Sequence, residues 1–247
     1  MPGNDPPYHQ RVVLPKKLGR ATASQLGTAS PTLVIPVGAT EQHGPHLPLD
    51  TDCVIAAAVA DAAVDRLPAG DHLLAPTINY GASGEHEGFA GTVSIGTVAL
   101  CSLLVEYGRS ALRWAGRLAF VNGHGGNVSA LRQACATLRA EGRDAGWCAC
   151  WTPDADAHAG HTETSLLLHL SPAAVRVQEW QPGNLAPLAE LMPRMRRGGL
   201  LAVSEVGVLG DPTTASAAAG ERIFADMVDG CVRAIERWQP ADDGRLR

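Results

Sequence analysis

A short polar stretch near the N-terminal third of the chain combines two kinds of side chain that bind first-row metal ions. Within GATEQHGPHLPLDTD, Glu41 and His43 are two residues apart, and Pro45 and Pro48 keep the stretch from forming a helix. In an extended chain this spacing directs both side chains to one face. Carboxylates and imidazoles bind Zn, Mn or Fe, and one carboxylate can bridge two ions. The stretch predicts either a metal site or a solvated loop in which Asp52 only caps the following helix.

A glycine-rich loop, NGHGGN, surrounds His124. Its glycines, among them Gly125 and Gly126, permit tight turns and a close approach of the backbone to a bound molecule. The loop has neither the GxGxxG spacing nor a GK[ST] ending, so the sequence gives little support to a dinucleotide or ATP site. His124 is therefore either a ligand or a structural histidine of the turn.

Two further loops carry acidic and imidazole groups. DADAHAGHTETS contains His158, His161 and Glu163, and helix capping is the ordinary explanation for Glu163 at a helix start. GASGEHEGFAGT contains Glu85 and His86 without a metal-binding spacing, and we expect these two to line a substrate wall. No GxSxG or HExxH motif occurs, and no cysteine lies in an electropositive loop. Hydrolysis by metal-activated water is the chemistry that remains.

The polar loops follow four predicted strands that alternate with helices. Such alternation predicts parallel pairing and a three-layer α/β/α fold with a mostly parallel central sheet. Because the carboxyl ends of parallel strands meet at one edge of a sheet, we expect the polar loops to converge there. The predicted strands are residues 32–37, 72–78, 117–122 and 146–151, and the predicted helices are residues 52–67, 98–115, 128–143, 161–170 and 214–238.

The composition describes an ordinary globular protein. The 247 residues are 45% hydrophobic and 18% charged with a net charge of -5, which gives no basic surface for nucleic acid. The six cysteines form no CxxC pair, and we expect them to be reduced core residues. No signal peptide or membrane-length apolar run is visible, so we expect no membrane contact and a cytoplasmic location. We expect one domain over residues 1–247, with an irregular segment 1–30 and a C-terminal segment 185–247 that closes with a helix.

Three segments, PVGATEQHGPHLPLDTD, FVNGHGGN and HAGHTETS, resemble the signature segments of the creatininase family, metal-dependent amidohydrolases of α/β/α architecture. The resemblance implies two divalent ions (Zn, Fe or Mn) bridged by Asp52, a proton-handling role for His158, and a homo-oligomer. Creatininase itself takes a carboxylate from the position that is Gly126 here, so the resemblance implies Glu163 as the last ligand. The implied metal ligands are Glu41, His43, Asp52, His124 and Glu163.

The sequence around these segments, from about residue 8 to residue 238, is similar to that of a peptidase branch of the family. That branch cuts a modified precursor peptide near its C-terminus and releases a cyclised Val-Tyr-derived fragment. The resemblance therefore implies a peptide substrate. The alternatives are a family amidohydrolase that acts on a small cyclic amide or formamide, and a metal-dependent binding protein without catalysis.

Overall fold

A four-stranded parallel sheet is the centre of the computed structural model, which describes residues 14–27 and 29–247. The strand order in the described part is β2-β1-β3-β4. The strands are β1 (Thr32–Val37), β2 (His72–Leu74), β3 (Arg117–Asn122) and β4 (Ala145–Ala149). Of the segment 1–30 that we expected to be irregular, residues 1–13 and 28 lie outside the described residues, and the remainder contains the single-turn helix α1 (Ala23–Leu26).

Helices cover both faces of this sheet. Helices α2, α5 and α7 pack together on one face, and α3 and α4 pack on the other. This three-layer arrangement confirms the predicted fold class. The longer helices are α2 (Thr51–Arg66), α3 (Gly96–Ala111), α4 (Val128–Ala140), α5 (His161–Leu170), α6 (Leu188–Gly198) and α7 (Ala217–Arg237). Each helix of the described residues is too short or too polar to span a lipid bilayer.

Strand β1 shows how the sheet divides the core in two. Successive side chains of a strand point to opposite faces. Accordingly, Val34 belongs to the core beneath α2, α5 and α7, whereas Leu33 and Ile35 belong to the core beneath α3 and α4. All three side chains are fully buried. A strand with apolar residues on both faces is typical of a parallel sheet covered by helices.

The strand order places a topological switch point between β1 and β3. The chain runs from β1 to β2 on one side, then crosses back to β3 on the other side of β1. Connections therefore leave the carboxyl ends of β1 and β3 in opposite directions and open a crevice there, which is where open α/β sheets bind ligands. The loops that carry Glu41 and His124 follow these two strands, so the topology brings them together.

Two elements differ from the sequence-based expectation. Strand β2 ends at Leu74 rather than at Ile78. The N–H groups of Thr32 and Gly38 bond to this part of the chain, but Pro36, which lies between them in β1 and its loop, has no N–H to continue the ladder. Helix α6 lies in the C-terminal segment, for which the sequence predicts only the closing helix, and it contains Pro193. Helix α5 covers the predicted residues, and the other helices differ from their predicted bounds by a few residues at their ends.

Candidate metal centre

Five side chains from two loops and two helix starts meet at the carboxyl edge of the sheet. Glu41 and His43 lie in the loop after β1, His124 lies in the loop after β3, and Glu163 lies in the first turn of α5. Asp52, in the first turn of α2, lies between them. Glu41 and His43 are fully buried, and Asp52 is 1% exposed. The structure thus brings together the five residues expected as metal ligands.

Asp52 directs its two carboxylate oxygens to two different histidines. Its Oδ1 lies 3.2 Å from His43 Nε2, and its Oδ2 lies 3.3 Å from His124 Nδ1. Glu41 Oε2 lies 3.2 Å from His124 Nε2, and Glu163 Oε2 lies 3.8 Å from His43 Nε2. Asp52 therefore stands between two sets of donor atoms, as a bridging carboxylate does in a two-metal site.

Backbone carbonyl groups fix the orientation of the histidine rings. His43 Nδ1 donates to the carbonyl oxygen of Glu41 at 3.1 Å, which leaves Nε2 directed at Asp52. His124 Nε2 lies 3.1 Å from the carbonyl oxygen of Ala82, which leaves Nδ1 directed at Asp52. Metal-binding histidines usually donate their second ring N–H to such an acceptor. Both rings are therefore oriented as metal ligands are.

The buried carboxylate oxygens provide a test of whether this site suits cations. Both carboxylate oxygens of Glu41 and Oδ2 of Asp52 are buried, and within residues 14–27 and 29–247 no donor of suitable geometry bonds to them. Buried charged oxygens are costly unless they are hydrogen-bonded or coordinate a metal. Carboxylate and imidazole donors also match the preference of first-row divalent ions. The donor set therefore fits divalent metal ions.

The pKa shifts show that the buried carboxylates stabilise positive charge on His43 and His124. Burial raises the pKa of Glu41 to about 8, although His124 opposes the shift. Burial would lower the pKa of His43, but Asp52 and the other carboxylates raise it to about 10. Burial likewise acts against a protonated His124, yet Glu41 and Asp52 raise its pKa. Metal ligation requires that the ligands lose these protons, so metal ions and protons compete for the same groups.

Asn127 fastens three of the loops to one another. Its side-chain amide donates to the carbonyl oxygen of Gly38 at 2.9 Å, and its Oδ1 accepts from the backbone N–H of Ala82 at 2.9 Å. It also donates to Oδ1 of Asn122 at 3.2 Å. Asn127 is fully buried. Asn127 therefore fixes the relative positions of three loops, which contain Glu41, residues 82–86 and His124.

Helix α5 has a cap that does not come from Glu163 alone. Asp156 accepts hydrogen bonds from the backbone N–H groups of His161 and Thr162, which are unpaired donors at the helix start. Glu163 Oε2 accepts from the N–H of Ala159 at 2.6 Å, a bond that resembles a capping box. Its carboxylate also faces His43. Glu163 therefore both caps the start of α5 and lies beside His43.

His86 lies closer to the cluster than the sequence indicated. Its Nε2 lies 3.3 Å from Glu41 Oε1, and the ring is 4% exposed. Gln42, which we had assigned no role, donates from its side-chain amide to His86 Nδ1 at 2.9 Å and to the carbonyl oxygen of Gly207 at 3.1 Å. Its Oε1 accepts from the N–H of Gly44 at 2.9 Å. Gln42 therefore holds His86 against Glu41.

His158 is buried beside the same carboxylates. Its Nε2 donates to the backbone carbonyl oxygen of Gln42 at 2.9 Å, which leaves Nδ1 directed toward Glu41 Oε1 at 3.8 Å. Burial, together with His43 and His86, lowers the pKa of His158 well below its usual value. A neutral ring with a free nitrogen can accept a proton or bind a metal ion. His158 accordingly belongs to two groups of donor atoms close enough to share an ion, Glu41-His86-His158 and His43-His158-Glu163.

Other polar residues of these loops remain outside the cluster. His46 is buried, but its Nε2 bonds to Thr164 Oγ1 at 2.8 Å and so ties the first loop to α5. Asp50 is exposed. His161 is half-buried, and its Nδ1 bonds to Thr214 Oγ1 at 2.9 Å. Glu85 lies at the edge of the cluster, with Oε1 3.9 Å from His124 Nε2.

Two cavities adjoin the cluster. One, of about 340 Å³, is lined by the residues expected to contact substrate, Glu85, His86, Gly125 and Gly126, together with His158. The other, of about 250 Å³, is lined among others by Trp151, Cys150 and Met227. Both cavities also contact His124 and Glu163. A bound molecule can therefore reach the cluster from either cavity.

The two central glycines of the NGHGGN loop have different surroundings, which gives a testable contrast. A Cβ at Gly126 would lie 2.2 Å from the carbonyl oxygen of Ala82 and 2.4 Å from His124 Nε2, whereas a Cβ at Gly125 would meet no atom within 4 Å. We expect Gly126→Ala to displace the ring of His124 and to weaken metal affinity by about 10- to 100-fold, the cost typical of disturbed ligand orientation. Competition with a chromogenic chelator measures this affinity.

Gly125→Ala is the matched control, because it changes the same loop without a clash. We expect it to leave metal affinity within about threefold of the original protein, since surface substitutions away from buried contacts have small effects. Equal affinities for the two variants would show that His124 does not bind the ion through the ring position seen here.

Comparison with known proteins identifies close relatives. The family model described as creatininase, creatinine amidohydrolase, matches residues 18–235. The mycofactocin precursor peptide peptidase of Mycobacterium tuberculosis (strain CDC 1551 / Oshkosh) is 65% identical over 246 residues, which cover 97% of this chain and 98% of that protein. The protein of the same name from Mycolicibacterium smegmatis (strain ATCC 700084 / mc(2)155) is 64% identical over 242 residues, with the same coverage.

Solved structures show the same similarity at lower sequence identity. A structure described as creatininase Mn has a TM-score of 0.73 and 27% identity, and the match covers 91% of this chain and 99% of that one. A mutant creatininase described as Zn-Zn type has a TM-score of 0.72 and 27% identity, with 91% and 98% covered. The structural neighbours thus include manganese and zinc forms.

Proposed function

Since the chain belongs to the creatininase family, and is therefore a hydrolase of amide bonds, we propose that it is a metal-dependent peptidase of mycofactocin biosynthesis. Its substrate would be the modified precursor peptide, from which it releases a C-terminal fragment derived from Val-Tyr. The observation that carries the hydrolytic part is the position of Asp52 between His43 and His124, beside carboxylate oxygens without donors. The relatives at 64–65% identity support the peptide as substrate.

We assign the cluster to two divalent ions, Zn, Fe or Mn. Glu41, Asp52 and His124 would hold one ion, and their donor atoms lie within 4.8 Å of one another. His43, Asp52 and Glu163 would hold the other. When bound, such ions lower the pKa of a water molecule toward neutrality and polarise the carbonyl group of the substrate. Asp52 would thus be a ligand that the two ions share.

His158 would move the proton that hydrolysis requires. Water that attacks the peptide carbonyl carbon must lose a proton, and the departing amine must gain one. A neutral His158, with its Nδ1 directed at the cluster, can take the first proton and deliver it to the amine nitrogen as the C–N bond breaks. The hydrogen bond from its Nε2 to the Gln42 carbonyl oxygen would keep the ring in this orientation.

The NGHGGN loop would place the substrate backbone against the cluster. Gly125 and Gly126 both line the larger cavity, and the space beside Gly125 is open. The absence of side chains lets a peptide carbonyl group approach the loop closely. Glu85 and His86, which line the same cavity, would complete this wall.

A small cyclic amide or formamide is the second candidate substrate, because the solved neighbours are creatininases. The two cavities favour the peptide instead. A compact ring needs a single enclosed space, whereas a chain cut at an internal amide bond needs room on both sides of it. Two separate cavities, each of which contacts His124 and Glu163, offer such room.

The experiment that tests the function is incubation of the zinc- or manganese-loaded protein with the modified precursor peptide. We expect a mass spectrum to show loss of the C-terminal Val-Tyr-derived fragment, with no turnover of creatinine in a parallel reaction. A chelator should stop cleavage, and added metal should restore it, since the residues assigned here hydrolyse nothing by themselves. Creatinine turnover without peptide cleavage would select the second candidate, and retention of uncleaved peptide would indicate a binding protein.

Three further expectations from the sequence complete this proposal. We propose that residues 1–247 act as one domain and that the chain assembles into a homo-oligomer. The exposed apolar side chains of Leu49, Tyr80 and Val93, on loops that bond to one another through Thr40, are suited to such a contact. The cytoplasmic location stays a prediction.

A further inference from the structure

Helix α6 forms one wall of the larger cavity beside the metal centre. Its residues Leu188, Met192 and Met195 are separated by four and three positions, so they lie on one face of the helix. All three line the cavity of about 340 Å³, and Leu200 and Leu209 extend the same surface. We call these five residues the apolar wall.

We propose that the apolar wall is the subsite for a neutral, apolar side chain next to the amide bond that is cut. This inference rests on the proposed peptidase function and adds the residues that select the substrate. The cavity reaches from the apolar wall to Asp52, His124 and Glu163. A side chain packed against the wall therefore holds the neighbouring amide group at the cluster.

The charges around the cavity favour a neutral occupant. The lining residues include Asp52, Glu85 and Glu163 but, within the described chain, neither lysine nor arginine. An acidic side chain placed against the apolar wall would thus find no lysine or arginine among the lining residues to pair with. Any charged group placed against the apolar wall would lose hydration without gaining a hydrogen bond. For aliphatic and aromatic side chains the free energy of the same transfer is favourable, because apolar surface is removed from water.

The wall has a fixed base and an adaptable surface. Leu191, Leu200, Val203 and Leu209 form a small buried core beneath α6. Gly199 ends the helix with a φ of +66°, and a Cβ there would lie 2.8 Å from the carbonyl oxygen of Glu85, so α6 packs closely on the Glu85 loop. Methionine side chains are flexible and polarisable, which lets them fit an irregular or modified apolar group. The cavity volume is that of a small-ligand pocket, which suits one or two side chains.

A binding experiment with capped dipeptides tests this subsite independently of cleavage. Acetyl-Val-Tyr-amide is the apolar probe, and acetyl-Ser-Asp-amide is the polar one. Calorimetry on the zinc-loaded protein should show that the apolar probe binds at least about tenfold more tightly, the effect of burying one apolar side chain. Leu188→Asp should abolish this preference, because it places a charge on the wall.

Leu201→Asp is the matched control. Leu188 and Leu201 are 43% and 48% exposed, and Leu201 does not line the cavity. We expect Leu201→Asp to keep the preference within about twofold, as surface substitutions do. Met192→Ala gives a second comparison that a helix tolerates well, and it should reduce the preference severalfold. The subsite proposal is wrong if the wild-type protein does not prefer the apolar probe, or if the two aspartate variants have equal effects on that preference.

Cleavage of the precursor peptide is scored separately by mass spectrometry. A preference for the apolar probe without cleavage would contradict the proposed peptidase and leave the subsite supported. Cleavage without any preference would overturn the subsite and leave the peptidase supported. The two proposals can therefore fail independently.

Discussion

Asp52→Asn should reduce kcat/KM for the precursor peptide by about 10³-fold or more, which corresponds to about 4 kcal/mol of lost transition-state stabilisation. The carboxylate of Asp52 faces His43 through one oxygen and His124 through the other. His43 and His124 also hold the pKa of Asp52 below its usual value against the effect of burial, so the group is an anion. Asparagine keeps the shape but removes the charge and one acceptor oxygen. Steady-state kinetics with the metal-loaded variant provides the measurement.

Asp50→Asn provides the control, since Asp50 is two residues away, of the same type, and exposed. Its side chain caps no backbone N–H of helix α2. We expect Asp50→Asn to change kcat/KM less than twofold. Should Asp52→Asn retain most of its activity, a bridging role for Asp52 would be untenable.

His158→Gln should lower kcat by about 10²- to 10⁴-fold, the usual contribution of general acid–base catalysis. The same variant should keep its metal content, because we assign His158 to proton transfer and not to metal binding. Glutamine can still donate to the Gln42 carbonyl oxygen, so the loop has a means to keep its position. Metal analysis and kinetics on the same preparation separate the two roles.

His161→Gln is the comparison for this second substitution. His161 is three residues away and bonds to Thr214 outside the cluster. We expect its kcat to stay within about threefold of the original. If the His158→Gln protein loses one ion along with its activity, His158 is a metal ligand. The two groups of donor atoms that include His158 also permit that role.

The sequence predicted the fold because its signals are local and repeated. Short apolar runs alternate with helical segments, and this order specifies a parallel sheet covered on both faces. The meeting of Glu41, Asp52 and His124 followed from the same argument, since the loops after parallel strands share one edge. Extended geometry with a period of two also accounts for the burial of both Glu41 and His43.

Gln42 shows where this reasoning reaches its limit. Alternation along an extended stretch directs Gln42 away from Glu41 and His43, and a neutral amide carries no signal of metal chemistry. Its partners His86, Gly207 and His158 are far away in the chain, so only the tertiary structure reveals it as the residue that holds His86. His86 was assigned to a substrate wall because its spacing matched no metal motif.

Helix α6 was missed for a different reason. Apolar residues recur at helical spacing from Leu188 to Met195, but Pro193 lies within the run, and a proline normally ends a helix. The face of α6 toward solvent is charged, so the segment has the composition of a surface loop. The spacing of Leu188, Met192 and Met195 was the signal that could have identified the helix.

A pair of cations shared by Asp52 is the central feature of the proposed site, and anomalous diffraction from a crystal grown with manganese tests it most directly. We predict two anomalous peaks per chain, one contacting Glu41 and His124, the other contacting His43 and Glu163, and both contacting Asp52. A single peak, or peaks that do not touch Asp52, would contradict the account.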